Sequence, residues 1–317
     1  MYSALNLING QVIAVKQVNY TNLDKKDRSA QVKALETEIE MLKQLKHPNI
    51  VKYLGTYRDK HRMYIFLEYC SGGSVASVLK RFGSLSEAVI RRYLRGCLRG
   101  LSYLHSHDVI HRDIKGNNVL IVSGDANSDD LVKLADFGSS KKITGGSSSG
   151  GSVVQGTIQW MSPEVLSGKP CGKESDMWSL AMTVVEMATG KPYWPKPAHC
   201  IYMLCMTSEI PQIPSSLSPA AHSFLSKCFS RNVDERPTAA NALRDSFLVQ
   251  PDTISESTVS LYSSQARRRD DDDDNFSATS DLITVRGQWV EIASDNNSAV
   301  IDGGGGSSGV DALFYKT

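Results

Sequence analysis

His111-Arg112-Asp113-Ile114-Lys115-Gly116-Asn117-Asn118 sets a carboxylate, an ammonium and a carboxamide close together, directly before the apolar run Val119-Leu120-Ile121-Val122. A short polar loop held between a helix and a strand can aim such groups at one point. Two other stretches give these offsets weight. Ile13-Ala14-Val15-Lys16 lies upstream, and Asp136-Phe137-Gly138 begins 18 residues after Asn118.

The composition bounds the possibilities. The chain has 317 residues and is 41% hydrophobic, enough for one large domain or two lobes and a tail. A formal net charge of +1 argues against a nucleic-acid partner, which selects a basic excess. Cys70, Cys97, Cys171, Cys200, Cys205 and Cys228 form no C-x-x-C pair or zinc spacing, so they read as reduced, mostly buried thiols. Residues 1–11 lack the pattern of a secretory signal, and no apolar run approaches the ~20 residues that cross a bilayer. The expectation is a cytoplasmic or nuclear protein with no membrane partner.

Around the opening stretch the chain divides by pattern. Val12-Ile13-Ala14-Val15-Lys16-Gln17-Val18 is β-branched and alternating, and reads as a strand. Residues 27–46 switch to helical spacing, with Val32, Leu35, Ile39, Leu42 and Leu45 on one face; His47-Pro48 ends that helix. Ile50–Tyr57 and Met63–Glu68 read as strands, and Gly72-Gly73 breaks the chain. Helical patterns then cover 74–82, 86–107, 174–190, 198–207, 217–230 and 238–247. From residue 250 the composition drifts to Ser, Asp and Gly, with Asp270–Asp274 consecutive, and such a tail is expected to be mostly disordered. Within it, Leu282–Ile292 is apolar enough for a hairpin around Gly287-Gln288.

A lysine buried on a strand needs a carboxylate, because unpaired burial costs several kcal/mol. Glu36, Glu38 and Glu40 on the following helix all compete for Lys16.

Together these motifs resemble the protein kinases of serine/threonine type. The runs Glu38–Tyr53, Gly72-Gly73-Ser74-Val75, Gly83–Glu87, Tyr103-Leu104-His105 and Lys133–Lys141 look most like the mitogen-activated protein kinase kinase kinase group. The resemblance covers residues 1–249 and implies an α+β, bilobal kinase fold. The small β-rich lobe (1–70) carries one long helix, the large lobe (71–249) is mainly helical, and 250–317 is the tail. It implies ATP and Mg2+ as cofactors. Asp113 would orient the attacking hydroxyl, Lys115 would neutralise charge on the γ-phosphoryl, and Asn118 and Asp136 would hold the metal ions. Lys16 would bind the α- and β-phosphates with Glu38 as its partner, preferred because Glu38 opens a Glu-Ile-x-Met-Leu-Lys run. Ala14 would lie against the adenine ring and Leu120 beneath it. The backbones of Glu68 and Cys70 would meet its edge, and Leu67 would control the pocket behind. Glu164 would pair with Arg236, and Asp176 would brace the catalytic-loop backbone. The group's substrates are downstream kinases, so the implied partners are a MAP kinase kinase and an upstream activator or self-phosphorylation.

Three positions depart from the group's pattern. Met1-Tyr2-Ser3-Ala4 aligns with residues that follow the glycine-rich loop, so that loop and the first strand are missing from this sequence. The small lobe is then expected to expose a sheet edge. The alternative function this raises is a kinase-shaped interaction protein that binds ATP poorly. Ile158-Gln159 stands where Pro-Tyr is usual, and Gln155 replaces a threonine. Ser152 is then the nearest candidate phosphosite, with Arg112 as its charge partner.

Overall fold

The computed structural model describes residues 1–6, 9–19, 25–58, 62–122, 132–142 and 156–249, and two strands, Ile283–Gly287 and Val310–Lys316. The fold is α+β. By contact it divides into two compact units, one of 1–44, 52–69 and 263–317, the other of 45–51 and 70–262.

The first unit is an antiparallel sheet with one helix. Strands β1 (Tyr2–Asn6), β2 (Val12–Asn19), β3 (Tyr53–Arg58) and β4 (Arg62–Glu68) run in the order β3-β4-β2-β1. The alternation read in the sequence decides the facing of β2. Ile13 and Val15 are buried with Ala4, Tyr64 and Phe66 in one cluster, which leaves Ala14 and Lys16 on the opposite face. Helix α1 (Lys25–Gln44) buries Val32, Leu35, Ile39 and Leu42, the i, i+3, i+4 stripe expected of it.

The outer edge of β1 is not open. Val310–Lys316 pairs with it antiparallel, Tyr2 opposite Lys316 and Asn6 opposite Ala312, and Ile283–Gly287 pairs with Val310–Phe314 in turn. This corrects the expected bare edge: strands leave unpaired N–H and C=O groups that a further strand satisfies. Ile283–Gly287 is thus a strand, and it pairs with Val310–Phe314. The other arm of the expected hairpin, and the rest of the tail, lie outside the described residues.

The second unit is mainly helical. Its helices are α2 (Val75–Phe82), α3 (Glu87–Ser106), α4 (Pro163–Leu166), α5 (Lys173–Thr189), α6 (Pro197–Ile201), α7 (Pro219–Cys228), α8 (Ala239–Ala242) and α9 (Ser246–Val249). Ser74 and Ser77 cap α2 reciprocally, each side chain bonding the other's backbone N–H. Helix α5 is buried on nearly every side and forms the core with Leu94, Leu98, Leu101, Phe224 and Phe229. Two short ladders, β5 (Val109–Ile110) with β8 (Lys141–Lys142) and β6 (Val119–Ile121) with β7 (Val132–Leu134), frame the polar loop.

Two elements differ from the sequence reading. The helix expected over 238–247 breaks into α8 and α9, because the Asp245 side chain accepts the Phe247 N–H at 3.0 Å and caps a new turn. The strand expected from Ile50 begins at Tyr53, since Leu45–Val51 belongs to the second unit. There Asn49 and Val51 exchange backbone bonds with Leu134 at 2.9 Å, and Lys46 N–H reaches the Tyr103 hydroxyl.

Arg236 is fully enclosed and grips Glu164 with two parallel bonds of 2.7 and 2.8 Å, while its Nε and Nη1 satisfy the Ser230 and Glu174 carbonyls. Its guanidinium lies 5.1 Å from the Trp178 ring centre. This is the pairing expected from the sequence. Removing one partner of such a pair strands the other in a dry site. Arg236→Ala should lower unfolding free energy by about 3–5 kcal/mol, read from the urea midpoint at constant m-value.

Candidate active site

The loop His111–Asn118 is held from below by one carboxylate. Asp176, in the first turn of α5, is 1% exposed. Its Oδ2 accepts the His111 N–H at 2.9 Å and faces His105 Nε2 at 2.8 Å; its Oδ1 accepts the Arg112 N–H at 2.8 Å. These two amides fix the loop in an uncommon shape. Arg112 has φ 67°, a left-handed conformation that costs a non-glycine residue about 1–3 kcal/mol. The Arg112 side chain adds a bond from Nε to the Ser139 carbonyl. Burial alone would raise the Asp176 pKa; the bonds and charges of His105 and His111 outweigh it and hold the carboxyl below its usual range. His111 is buried, and burial pushes its pKa down, so the ring is neutral and joins the Ala135 carbonyl at 3.1 Å.

From that base the loop collects its functional groups around Asp113. Oδ2 accepts Lys115 Nζ at 2.8 Å and Asn118 Nδ2 at 2.9 Å. Oδ1 accepts the Thr157 backbone N–H at 2.9 Å and the Thr157 hydroxyl at 2.7 Å. Burial opposes ionisation of Asp113, but the bonds from Lys115 and Thr157 and the Lys115 charge prevail, and its pKa is lowered. Asp113 is therefore an ionised hydrogen-bond acceptor at neutral pH and a weak base, suited to orienting a hydroxyl.

The contact of Thr157 with Asp113 and Lys115 is the part that sequence reasoning missed. Its hydroxyl is also 2.6 Å from Lys115 Nζ. The only signal was its place in Gly156-Thr157, where Gly156 has φ 116° and a Cβ would strike the Arg112 carbonyl at 2.4 Å. That close approach puts the segment beside the loop.

Asn118 and Asp136 end up at neighbouring ends of the β6–β7 ladder. Ala135 N–H donates to the Asn118 carbonyl at 2.9 Å, and Val119 pairs with Leu134. Asn118 spends its amide nitrogen on the carbonyl and carboxylate of Asp113, so its Oδ1 is the atom it offers elsewhere. Asp136 is exposed and left-handed, with φ 63°, and Phe137 behind it is buried against His111 at 5.0 Å between ring centres. A carboxylate and a carboxamide oxygen are the hard donors a divalent cation of the magnesium type takes, and the donor set fits such an ion.

The remaining expected residues fall as follows. In the first unit Lys16 Nζ meets Glu38 Oε1 at 2.9 Å. The competing carboxylates are engaged elsewhere, Glu36 with Arg58 at 3.4 Å and Glu40 with Lys43 at 2.7 Å. Ala14 stands directly opposite Leu67 on the neighbouring strand, and Ile13 opposite Glu68. Glu68 N–H donates to the Lys52 carbonyl at 2.9 Å. In the second unit Cys70 is buried, and Leu120, partly exposed, bridges to Ser74. All six cysteines are free thiols, and burial pushes Cys97, Cys200 and Cys228 up to about 12. Gln159 Nε2 holds the Trp194 carbonyl at 2.5 Å. Ser152 and Gln155 lie outside the described residues. Among the described residues no helix is long and apolar enough to cross a membrane.

The protein kinase domain profile matches residues 1–248. The chain belongs to the protein kinase family. It is 41% identical over 254 residues to mitogen-activated protein kinase kinase kinase 2 of Arabidopsis thaliana, covering 78% of this chain and 38% of that protein. It is 41% identical over 256 residues to mitogen-activated protein kinase kinase kinase A of Dictyostelium discoideum, covering 80% and 26%. Against mitogen-activated protein kinase kinase kinase 3 of Homo sapiens the figures are 42% over 253 residues, covering 78% and 39%. The chain thus spans about two fifths or less of the length of these relatives.

Asp113 and Asp176 both have folded pKa values below the 3.8 of an ordinary aspartate. Unfolding lets them take up protons more readily. The stability they contribute is present above pH 3.8 and is lost as pH falls through the folded values. Urea unfolding from neutral pH downward should show stability falling below pH 3.8, with a shallower fall in Asp176→Asn.

Proposed function

We propose that this chain is a serine/threonine protein kinase of the MAP kinase kinase kinase type. It transfers the γ-phosphoryl of Mg-ATP to serine or threonine of a downstream protein kinase, a MAP kinase kinase. The observation that carries this reading is the set of four donors on Asp113. The two that come from Thr157 belong to a segment far along the chain, so loop and segment are assembled around one carboxylate.

The roles follow from the chemistry of each group. Asp113 orients the substrate hydroxyl and receives its proton as the new O–P bond forms and the bridging O–P bond to the γ-phosphorus breaks, with ADP leaving. Lys115, 2.8 Å from Asp113, carries the positive charge that offsets charge on the transferring phosphoryl. Asn118 and Asp136 hold the metal, which supplies charge neutralisation for the phosphates when bound. Lys16, kept in place by Glu38, binds the α- and β-phosphates. Ala14, Leu67 and Leu120 provide apolar contact for the adenine base, and backbone groups of Glu68 and Cys70 its hydrogen bonds. An activating kinase or a second copy of the chain would act on the segment before Thr157, with Ser152 as the acceptor.

Replacing Asp113 by Asn keeps an acceptor oxygen but removes the charge and the proton sink. Asp113→Asn should lower kcat for peptide phosphorylation by about 10²–10⁴-fold with little change in thermal midpoint. Turnover equal to the unsubstituted chain would contradict the assignment. Lys16→Met should act mainly on KM for ATP together with kcat, read in the same assay.

A further inference from the structure

Strand β10 (Val310–Lys316) joins the sheet of the first unit from the far end of the chain. Its middle residues Ala312, Leu313 and Phe314 are paired on both sides. On one side stand Asn6, Leu5 and Ala4 of β1; on the other stand Val285, Thr284 and Ile283 of β9 (Ile283–Gly287). A strand paired on both sides commits its backbone donors and acceptors to the sheet. Strand β1 in turn gains a second neighbour along its whole length, from Tyr2 to Asn6.

The register ties this strand to Lys16. Tyr2 stands opposite Lys316 on one side and opposite Val15, the neighbour of Lys16, on the other. The C-terminal end of β10 therefore lies two strand spacings, about 10 Å, from that end of β2. Packing adds a second link. Ala4, opposite Phe314, is 1% exposed and shares its cluster with Ile13, Val15, Tyr64 and Phe66. That cluster backs the strand that presents Lys16, so fraying of β1 would loosen it. The connections differ in kind. Residues 7–11 join β1 to β2, whereas residues 250–309 separate β10 from the last helix. Closing the longer loop costs more entropy, which makes β10 easier to release than a hairpin strand.

We propose that the outer edge of β1 is a docking site for an extended strand, with Val310–Lys316 of the same chain as its occupant. Docking steadies the sheet that carries Lys16 and raises affinity for ATP; release lowers it. Main-chain bonds supply the attraction, as when a peptide adds a strand to a sheet edge. The effect on ATP rests on Lys16 being a phosphate-binding residue. The docking itself does not depend on that reading.

The test uses the full chain. Ser3 and Tyr315 are register partners. Such partners have Cα atoms about 4.5–5.5 Å apart, within the range a disulfide spans. Ser3→Cys with Tyr315→Cys, oxidised by diamide at low protein concentration, should form a disulfide within one chain, identified by peptide mass. Ser3→Cys with Phe314→Cys is one residue out of register and should give at most about a tenth of that yield. Leu313→Pro removes a donor from a strand paired on both sides. It should speed amide exchange over residues 2–6 at least about tenfold and raise Kd for Mg-ATP at least about fivefold. Equal disulfide yields in the two pairs, or a disulfide only between two chains, would overturn the proposal. So would unchanged exchange or unchanged ATP affinity in Leu313→Pro. If Leu313→Pro does not fold, Leu313→Gly, which only weakens the strand, takes its place in both measurements. If no form binds ATP, the kinase reading fails, and disulfide yield and exchange still decide the docking.

Discussion

Two adjacent backbone amides, those of His111 and Arg112, point at one buried carboxylate. Everything chemical in the second unit depends on that arrangement. Asp176 could not remain ionised away from water without donors, and Arg112 would not hold a left-handed backbone without a reason. Each offsets the cost of the other. The neutral His111 ring then reaches the Ala135 carbonyl and packs on Phe137, so the loop at 111–118 and the turn at 136–138 are set by the same few contacts.

Helix α5 is the rigid element behind this. Asp176, Ser179, Thr183 and Glu186 recur at three- and four-residue spacing and so share one face. Along that face Asp176 takes the start of the catalytic loop, Ser179 donates to the Trp160 carbonyl at 2.8 Å, and Glu186 takes Gly116 and the Trp160 indole. A buried helix that moves little is a good place from which to fix groups to within a fraction of an ångström. In the first unit the analogous device is smaller: a strand presents Lys16 and a helix presents Glu38.

Much of this was legible in the sequence because it is written in local patterns. The stripe of Val32, Leu35, Ile39 and Leu42 and the alternation of Ile13 and Val15 declare their elements and their buried faces. The residues around Asp113 and Asp136 are recognisable because chemistry needs those types at those offsets. What was not legible involves partners distant in sequence. Spacing alone left Glu36, Glu38 and Glu40 open as partners of Lys16, since all three lie within one helical turn and a half. Gly156 marks the segment of Thr157 as one of close approach but does not name Asp113 as its partner, and Glu186 carries no local mark of its contact with Gly116. Pairing between β1 and Val310–Lys316 is a choice among every strand-like segment of the chain, and alternation in either segment does not encode it. The break before α9 was written in Asp245 but masked by apolar residues that suit either one helix or two.

The groups around Asp113 are proposed to transfer phosphoryl to an aliphatic hydroxyl. The decisive experiment supplies ATP labelled at the γ-phosphate, with Mg2+, to the chain and a MAP kinase kinase. The labelled protein is then hydrolysed to its amino acids. Label is expected in phosphoserine and phosphothreonine. Label confined to phosphotyrosine, or none in protein while the chain remains folded, would contradict it.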